Sequence, residues 1–348
     1  MEVDYIIVGF GLAGMAFVKQ LEDENKSFLV YEDASQTSSL VAGGVYNPVI
    51  LKRFTPVWQG KIQLDLAIPF YNEIEKKLKN KYDYKFSTYR VFKSVEEQNN
   101  WFSASDKPLL APYMDDQIVT KKFNGIVSND GFGRLNHTGR IDVKTLLNDY
   151  RNKLKLSDQI RFQSFLHKNV EFFQDGLSYD NVKAKKIIFC EGYGMHQNPF
   201  FNHLPMNEAK GELLTIHAPD LEVDFLVKAA VFVLPLGSHY FKVGATFNWS
   251  DKTLDTTNEG RKELVEKLET FITCKYKIVD QTAGIRPTVK DRRPLVGIHS
   301  EYSQLAILNG LGTRGVMIAP KVAKELYYHL EEDIPLDPES DIKRFAKG

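Results

Sequence analysis

The spacing of apolar and polar residues changes several times along this chain, and each change marks an element. Residues 4–8 (DYIIV), 28–31 (FLVY), 186–190 (KIIFC) and 305–308 (LAIL) are short, nearly unbroken apolar runs. That is the pattern of strands buried on both faces of a parallel sheet. Helical spacing follows the first run, with Leu12, Met15, Ala16, Val18 and Leu21 on one face. It returns over 61–79, where Pro69 is expected to kink the helix, and over a short stretch near 95–102. Ile141, Val143, Leu146, Leu147 and Tyr150 predict a helix over 141–154. Leu264, Val265, Leu268, Phe271 and Ile272 predict another over 258–273, and a last one covers 315–330. Residues 210–217, 229–235 and 239–246 read as strands of an antiparallel sheet, with short strands and loops through 82–130, at 170–173 and near Val182. Residues 35–50 (SQTSSLVAGGVYNPVI) are polar, then Gly-rich, and fit neither pattern.

The junction of the first strand and helix carries chemistry. Gly9-Phe10-Gly11-Leu12-Ala13-Gly14 sits between them, and Glu32 ends the second strand, followed by Asp33. In a dinucleotide site Gly9 allows the tight turn, Gly11 lets backbone approach a pyrophosphate, and Gly14 lets helix pack on strand. The helix N-terminus turns its positive end to the phosphates. Glu32 would accept the adenosine ribose hydroxyls and disfavours a 2′-phosphate. Strand, motif, helix, second strand and acid occur in the order the motif requires. This much leaves NAD and FAD both open. A plain nicotinamide dehydrogenase, however, gives residues 35–50 and 309–315 nothing to do, whereas a second, extended cofactor half would occupy them.

Composition narrows the class. The 348 residues, with 43% hydrophobic and 26% charged, suit a globular protein of two domains and exclude a disordered or collagenous chain. Lys+Arg and Asp+Glu both number 45, so no net field draws in nucleic acid, although a local basic patch stays open. Cys190 and Cys274 have no metal-ligand spacing and read as small buried residues of a reducing compartment. The apolar stretch 6–18 is too short to span a membrane and follows Met-Glu-Val-Asp rather than a basic leader, so a cytoplasmic protein without a membrane partner is expected. The histidines show no metal-binding spacing, and no metal is expected.

Several further segments together resemble the D-amino-acid oxidase/glycine oxidase family, over nearly the whole chain. Ser38-Ser39 with Ala42-Gly43-Gly44 is similar to that family's loop under the flavin, and Ile187 to Gly192 to its second cofactor-contacting strand and turn. Ala283-Gly284-Ile285-Arg286-Pro287 resembles its Gly-hydrophobic-Arg-Pro segment, and Asn309 to Gly315 its last flavin-binding turn. Gly244-Ala245-Thr246-Phe247 and Leu311 to Gly315 are also similar to the flavin domain of bacterial bifunctional enzymes that modify tRNA wobble uridine, which release glyoxylate from a carboxymethylaminomethyl group. Lys210 and Glu212 stand where the family has Arg and Gln, and Cys190-Glu191 replaces a small pair.

The resemblance implies an α/β fold: a Rossmann-like FAD-binding domain (1–51, 136–211 and 276–348) interleaved with an antiparallel-sheet substrate domain (52–135 and 212–275). It implies noncovalent FAD, since 283–297 has no Cys, bound by Gly9, Gly11, Leu12, Ala13, Gly14, Glu32, Asp33, Ser38, Ser39, Ala42, Gly43, Gly44, Glu191, Gly192, Gly310, Leu311, Gly312, Thr313, Arg314 and Gly315. The expected reaction is oxidation of a C–N bond of a small amino acid or secondary amine, by hydride transfer to flavin N5, with oxygen or another acceptor. Arg286 would clamp the substrate carboxylate, Arg314 would favour the reduced flavin, and Tyr46, Tyr240, Phe241 and Trp249 would wall the amine. Lys52 and Arg53 read as a solvated pair. The alternatives are a flavoprotein acting on or binding a modified tRNA uridine side chain, and a non-catalytic flavoprotein. An aromatic-ring monooxygenase would carry Gly-Asp at the late turn, where this chain has Gly312-Thr313-Arg314-Gly315.

Overall fold

The computed structural model describes residues 1–346. In chain order, the strands that border the site are β1 (Glu2–Val8), β2 (Phe28–Tyr31), β3 (Val182–Phe189), β4 (Ala209–His217), β5 (Leu226–Lys228), β6 (Phe232–Gly237), β7 (Tyr240–Gly244), β8 (Lys277–Arg286) and β9 (Leu305–Asn309). The principal helices are α1 (Leu12–Asp23), α2 (Gly60–Leu78), α3 (Val143–Leu156), α4 (Asn258–Glu269) and α5 (Gly315–Glu332).

The four apolar runs pair as expected. Ile160–Arg161, β2, β1, β3 and β9 lie side by side and parallel. Val8 stands opposite both Tyr31 and Phe189, so the carboxyl ends finish level and their loops open on one edge. The chain order reverses on either side of β1, which is where α/β sheets bind ligands. Helices α1, α2, α3 and α5 cover one face through residues such as Phe17, Tyr71, Leu147 and Leu326. The hairpin 170–179 and the segments around Phe201 and Ile342 cover the other. Both faces are therefore dry, which is why these strands carry no polar alternation.

The second sheet runs β8-β4-β7-β6-β5, then Thr88–Val91, Phe132–Leu135 and Met114–Val119. Its pairs are antiparallel except β5 against Thr88–Val91. Alternation sorts its faces. Leu214, Ile216 and Val243 meet Leu264 and Leu268 of α4 on one side, while Leu213 and Phe232 turn toward the first sheet.

Two boundaries differ from the sequence-based division. Strand β8, assigned to the cofactor domain within 276–348, pairs along its length with β4 and belongs to the second sheet through Arg286. Its sequence (KIVDQTAGIR) does not alternate, because it is an edge strand with much of its length exposed. Helix α2, assigned to the substrate domain, buries Leu64, Ala67, Tyr71 and Ile74 in the core shared by α1, α3 and α5. Helix α4 stops at Glu269, short of the expected 273; Phe271 and Ile272 are buried beyond its end. Among the described residues no helix is long and apolar enough to cross a membrane.

Candidate active site

A cleft of about 1010 Å³ opens between the carboxyl edge of the first sheet and the bare face of the second. One wall is made of Gly9, Gly11, Leu12, Ala13, Glu32, Asp33, Ser38, Ser39, Ala42, Gly43, Gly44, Glu191, Gly192, Leu311, Gly312, Thr313 and Gly315, all expected from sequence. Gly14 acts from behind this wall. A Cβ there would stand 2.1 Å from the Gly9 carbonyl oxygen, so only glycine lets α1 approach the end of β1. Gly11 caps α1 with backbone alone, and Ser39 Oγ accepts the Leu12 amide at 3.2 Å. The buried Glu32 carboxylate accepts the Phe10 and Ala34 amides and lies 3.6 Å from Arg151. It is thus fixed at the tip of β2, facing the cleft.

The opposite end is built around Arg286. Its guanidinium lies across Gly211 of the neighbouring strand, where a Cβ would sit 1.9 Å from Nη2. Nη1 donates to the Thr246 carbonyl at 3.2 Å, and the group stacks 4.3 Å above the Phe247 ring. Among the described residues no carboxylate pairs with it, and burial alone pulls its pKa down to about 10. An unpaired guanidinium turned into a cleft is held ready for an anion.

The two departures at Lys210 and Glu212 have a structural job. Lys210, buried, bonds to Asp251 and to Thr253 Oγ1, and exchanges backbone hydrogen bonds with Asn248 at 2.8 and 2.9 Å. The Glu212 carboxylate accepts from Thr257 and Gln281, and its amide donates to Thr246 Oγ1 at 2.8 Å. Together they pin the loop that offers Thr246 and Phe247 to Arg286.

Other expected residues lie elsewhere. Tyr46 is buried in a small separate sheet with its hydroxyl donating to Asp83 at 2.7 Å. Tyr240 begins β7 at the end remote from Gly244, and Trp249 lies two residues past Phe247; both are exposed and neither borders the cleft. Phe241 faces the α4 side of the sheet. Arg314 is also absent from the cleft wall; its charged neighbour is Arg292, and burial with that like charge lowers its pKa. Gly310 sits behind the wall against Val289. Lys52 and Arg53 are exposed and away from the cleft.

Sequence reading named the segments that hold Gly211, Phe247 and Asn309 without giving these three a role of their own, and it did not single out Lys228 or His167; all five border the cleft. His167 holds Glu191 at 2.8 Å, with Asn198 on the other carboxylate oxygen at 2.7 Å. Buried Asn309 bridges two loops of the cleft wall: Nδ2 donates to the Gly192 carbonyl at 2.9 Å, and Oδ1 accepts the Gly310 amide at 2.8 Å. Asn309→Ala is expected to cost about 1–3 kcal/mol by leaving those groups unpaired. Thermal unfolding with and without added FAD reads this as a lower midpoint and a smaller upshift by FAD than in the parent. An unchanged upshift would show that the two loops do not depend on this bridge.

The family model for FAD-dependent oxidoreductases (DAO) matches residues 4–329. The chain belongs to this family. Glycine oxidase of Bacillus subtilis (strain 168) is 28% identical over 147 residues, 40% of this chain and 39% of that protein. The tRNA 5-methylaminomethyl-2-thiouridine biosynthesis bifunctional protein MnmC of Campylobacter jejuni (strain RM1221) is 24% identical over 193 residues, 53% of this chain and 31% of its own length. The matches thus span well under half of these curated relatives. Glycine oxidase from Bacillus cereus ATCC 14579 shares the fold, with a TM-score of 0.80 at 15% identity and 96% of each chain covered.

FAD fits the residues of this DAO-family enzyme. The Gly9–Gly14 turn, the start of α1 where Gly11 brings no side chain, and the anchored Glu32 would hold the adenosine and pyrophosphate. Helix α5 likewise starts without a side-chain cap, and its first residues, Gly315 and Val316, line the cleft. Their amides would face the flavin end, the part that gains negative charge on reduction.

Proposed function

We propose that this enzyme oxidises the C–N bond of a small amine bearing a carboxylate, an amino acid or N-substituted glycine, with Arg286 binding the carboxylate. The observation that carries this reading is the unpaired Arg286 guanidinium in the cleft. FAD, when bound, would supply the redox chemistry as hydride acceptor. The protein's part is placement. Gly211 leaves room for the guanidinium, Thr246 fixes its plane, and Phe247 supports its face. Leu213, Phe232 and Ala245 line the same space and keep it apolar. The amides at the start of α5 offer the positive pole in place of Arg314. FAD is held without a covalent bond. Cys190, the cysteine on the cleft wall, is buried, and burial pushes its thiol pKa up, away from a reactive thiolate.

An anaerobic absorbance titration tests the reading. Glycine, sarcosine or another amino acid should bleach the bound flavin at concentrations where the corresponding amine without a carboxylate bleaches it far more slowly. Phe247 and Trp249, 57% and 50% exposed on one loop, favour a second reading in which the amine is carried on RNA. A flavin bleached by dithionite but by none of the free amines would favour that one.

A further inference from the structure

Besides Arg286, three lysines border the cleft: Lys168, which is exposed, Lys267, which pairs with Glu263, and Lys228. Phe232 pairs with Lys228 on one side and Gly244 on the other, and Gly244 pairs with Leu213. Directly opposed residues share a face, so Leu213, Phe232 and Lys228 lie in one row on the face turned to the cleft, and all three border it. Among the described residues the Lys228 ammonium makes no hydrogen bond and no ion pair. The charged groups around it are Arg90, Lys267 and Lys93. The nearby acids are engaged: Glu97 with Arg90, and Glu263 with Lys267. Burial first, and these like charges next, pull the lysine down to about 8. A half-buried lysine among cations, with no acid of its own, is a position where a bound anion would relieve mutual repulsion.

Its position states what kind of anion. Strands β4, β7 and β6 separate β8, which carries Arg286, from β5, which carries Lys228. Four strand spacings amount to roughly 19 Å across the sheet, and Arg286 lies four residues along β8 from Thr282, which ends the Lys228 row, adding an offset of ~13 Å along the strand. Two long side chains close part of that span, so one small carboxylate does not reach both.

We propose that Lys228 forms the far end of the substrate site and binds a second anionic group, a carboxylate or a phosphate, on an extended amine whose first carboxylate lies on Arg286. The proposal rests on Arg286 being the carboxylate clamp. It makes the preferred substrate an elongated dianion, and Lys228 the residue that selects it over glycine.

The test is steady-state kinetics of the holoenzyme and its Lys228→Met and Lys228→Arg variants. The substrates are sarcosine, N-(carboxyalkyl)glycines of increasing chain length, and the matching N-(phosphonoalkyl)glycines. For the parent, kcat/KM should pass through a maximum at one chain length above that for sarcosine; the better of the two series tells carboxylate from phosphate. Lys228→Met should lose roughly tenfold to a hundredfold on that dianion, stay within about twofold on sarcosine, and be rescued by Lys228→Arg. The preference for the dianion should also fall as pH rises through about 8, where the free lysine loses its charge. Equal losses on sarcosine and dianion, or a weakened hold on FAD with no change in preference, would overturn the assignment and leave the clamp standing. A parent flavin that no amino carboxylate reduces would overturn the clamp and this proposal with it.

Discussion

Arg286→Gln is expected to raise KM for amino-carboxylate substrates by roughly a hundredfold to a thousandfold, with FAD content and folding unchanged. Two charge-assisted hydrogen bonds to a carboxylate contribute about 3–4 kcal/mol together. Glutamine keeps a polar end without the charge or the fork. Amines without a carboxylate should react equally with parent and variant, so comparing the two substrate classes isolates the clamp. Equal loss on both would mean that Arg286 orders the Thr246–Phe247 loop and does not hold substrate. Gly211→Ala should copy the effect, because its Cβ would fall 1.9 Å from Nη2 and evict the guanidinium. The pH dependence follows from the lowered pKa. Burial lowers that value only to about 10, so the group stays charged at neutral and mildly alkaline pH, and inhibition by acetate, which has no amine to titrate, should hold steady there.

The second large effect is at the cofactor turn, where two glycines fail differently. Gly14→Ala puts a methyl 2.1 Å from the Gly9 carbonyl oxygen, a backbone atom that moves only if α1 backs away from β1. A shift of the first turn displaces the amides that would meet the pyrophosphate. This variant is expected to lose bound FAD, raising its dissociation constant a hundredfold or more, and to lose about 2–3 kcal/mol of apoprotein stability through overpacking. At Gly11 the nearest atom is the Ser39 hydroxyl, at 3.1 Å, which can turn aside. Gly11→Ala should therefore keep its apoprotein melting temperature and still lose FAD, because it adds a methyl at the cleft-lining turn where backbone would approach the pyrophosphate. Flavin-to-protein absorbance ratios and apoprotein melting curves separate the two. A Gly14→Ala protein that melts and binds FAD like the parent would disprove the packing argument.

The cofactor wall was legible in the sequence because its chemistry is local. Turn, helix start and terminal acid all fall within residues 9–33, and the buried strands announce themselves by unbroken apolar runs. The substrate end was not legible in the same way. Arg286 could be singled out only through its Gly-Ile-Arg-Pro setting, and its lack of an acid partner is visible only once β8 lies beside β4. Tyr46 follows the flavin loop closely in sequence, yet its strand pairs at Gly139 and turns the ring to Asp83. Phe247 and Trp249 are two residues apart, and only the former meets Arg286. Lys228 carried no signal at all, since a lone lysine in an apolar run reads as a strand end. Its meaning comes from register across four strands.

The threading of the first domain has a consequence for synthesis. The parallel sheet draws β1 and β2 from the start of the chain, β3 from its middle and β9 from near its end, and the cleft closes only with Val316 of α5. A ribosome making this protein therefore releases the Gly9–Gly14 turn some three hundred residues before the partner it faces. Strand β1 gains its β3 partner only after some 180 residues have been made, and β3 gains β9 later still, so their apolar edges stay unpaired for much of synthesis. The cleft is complete only once every one of these segments has been made.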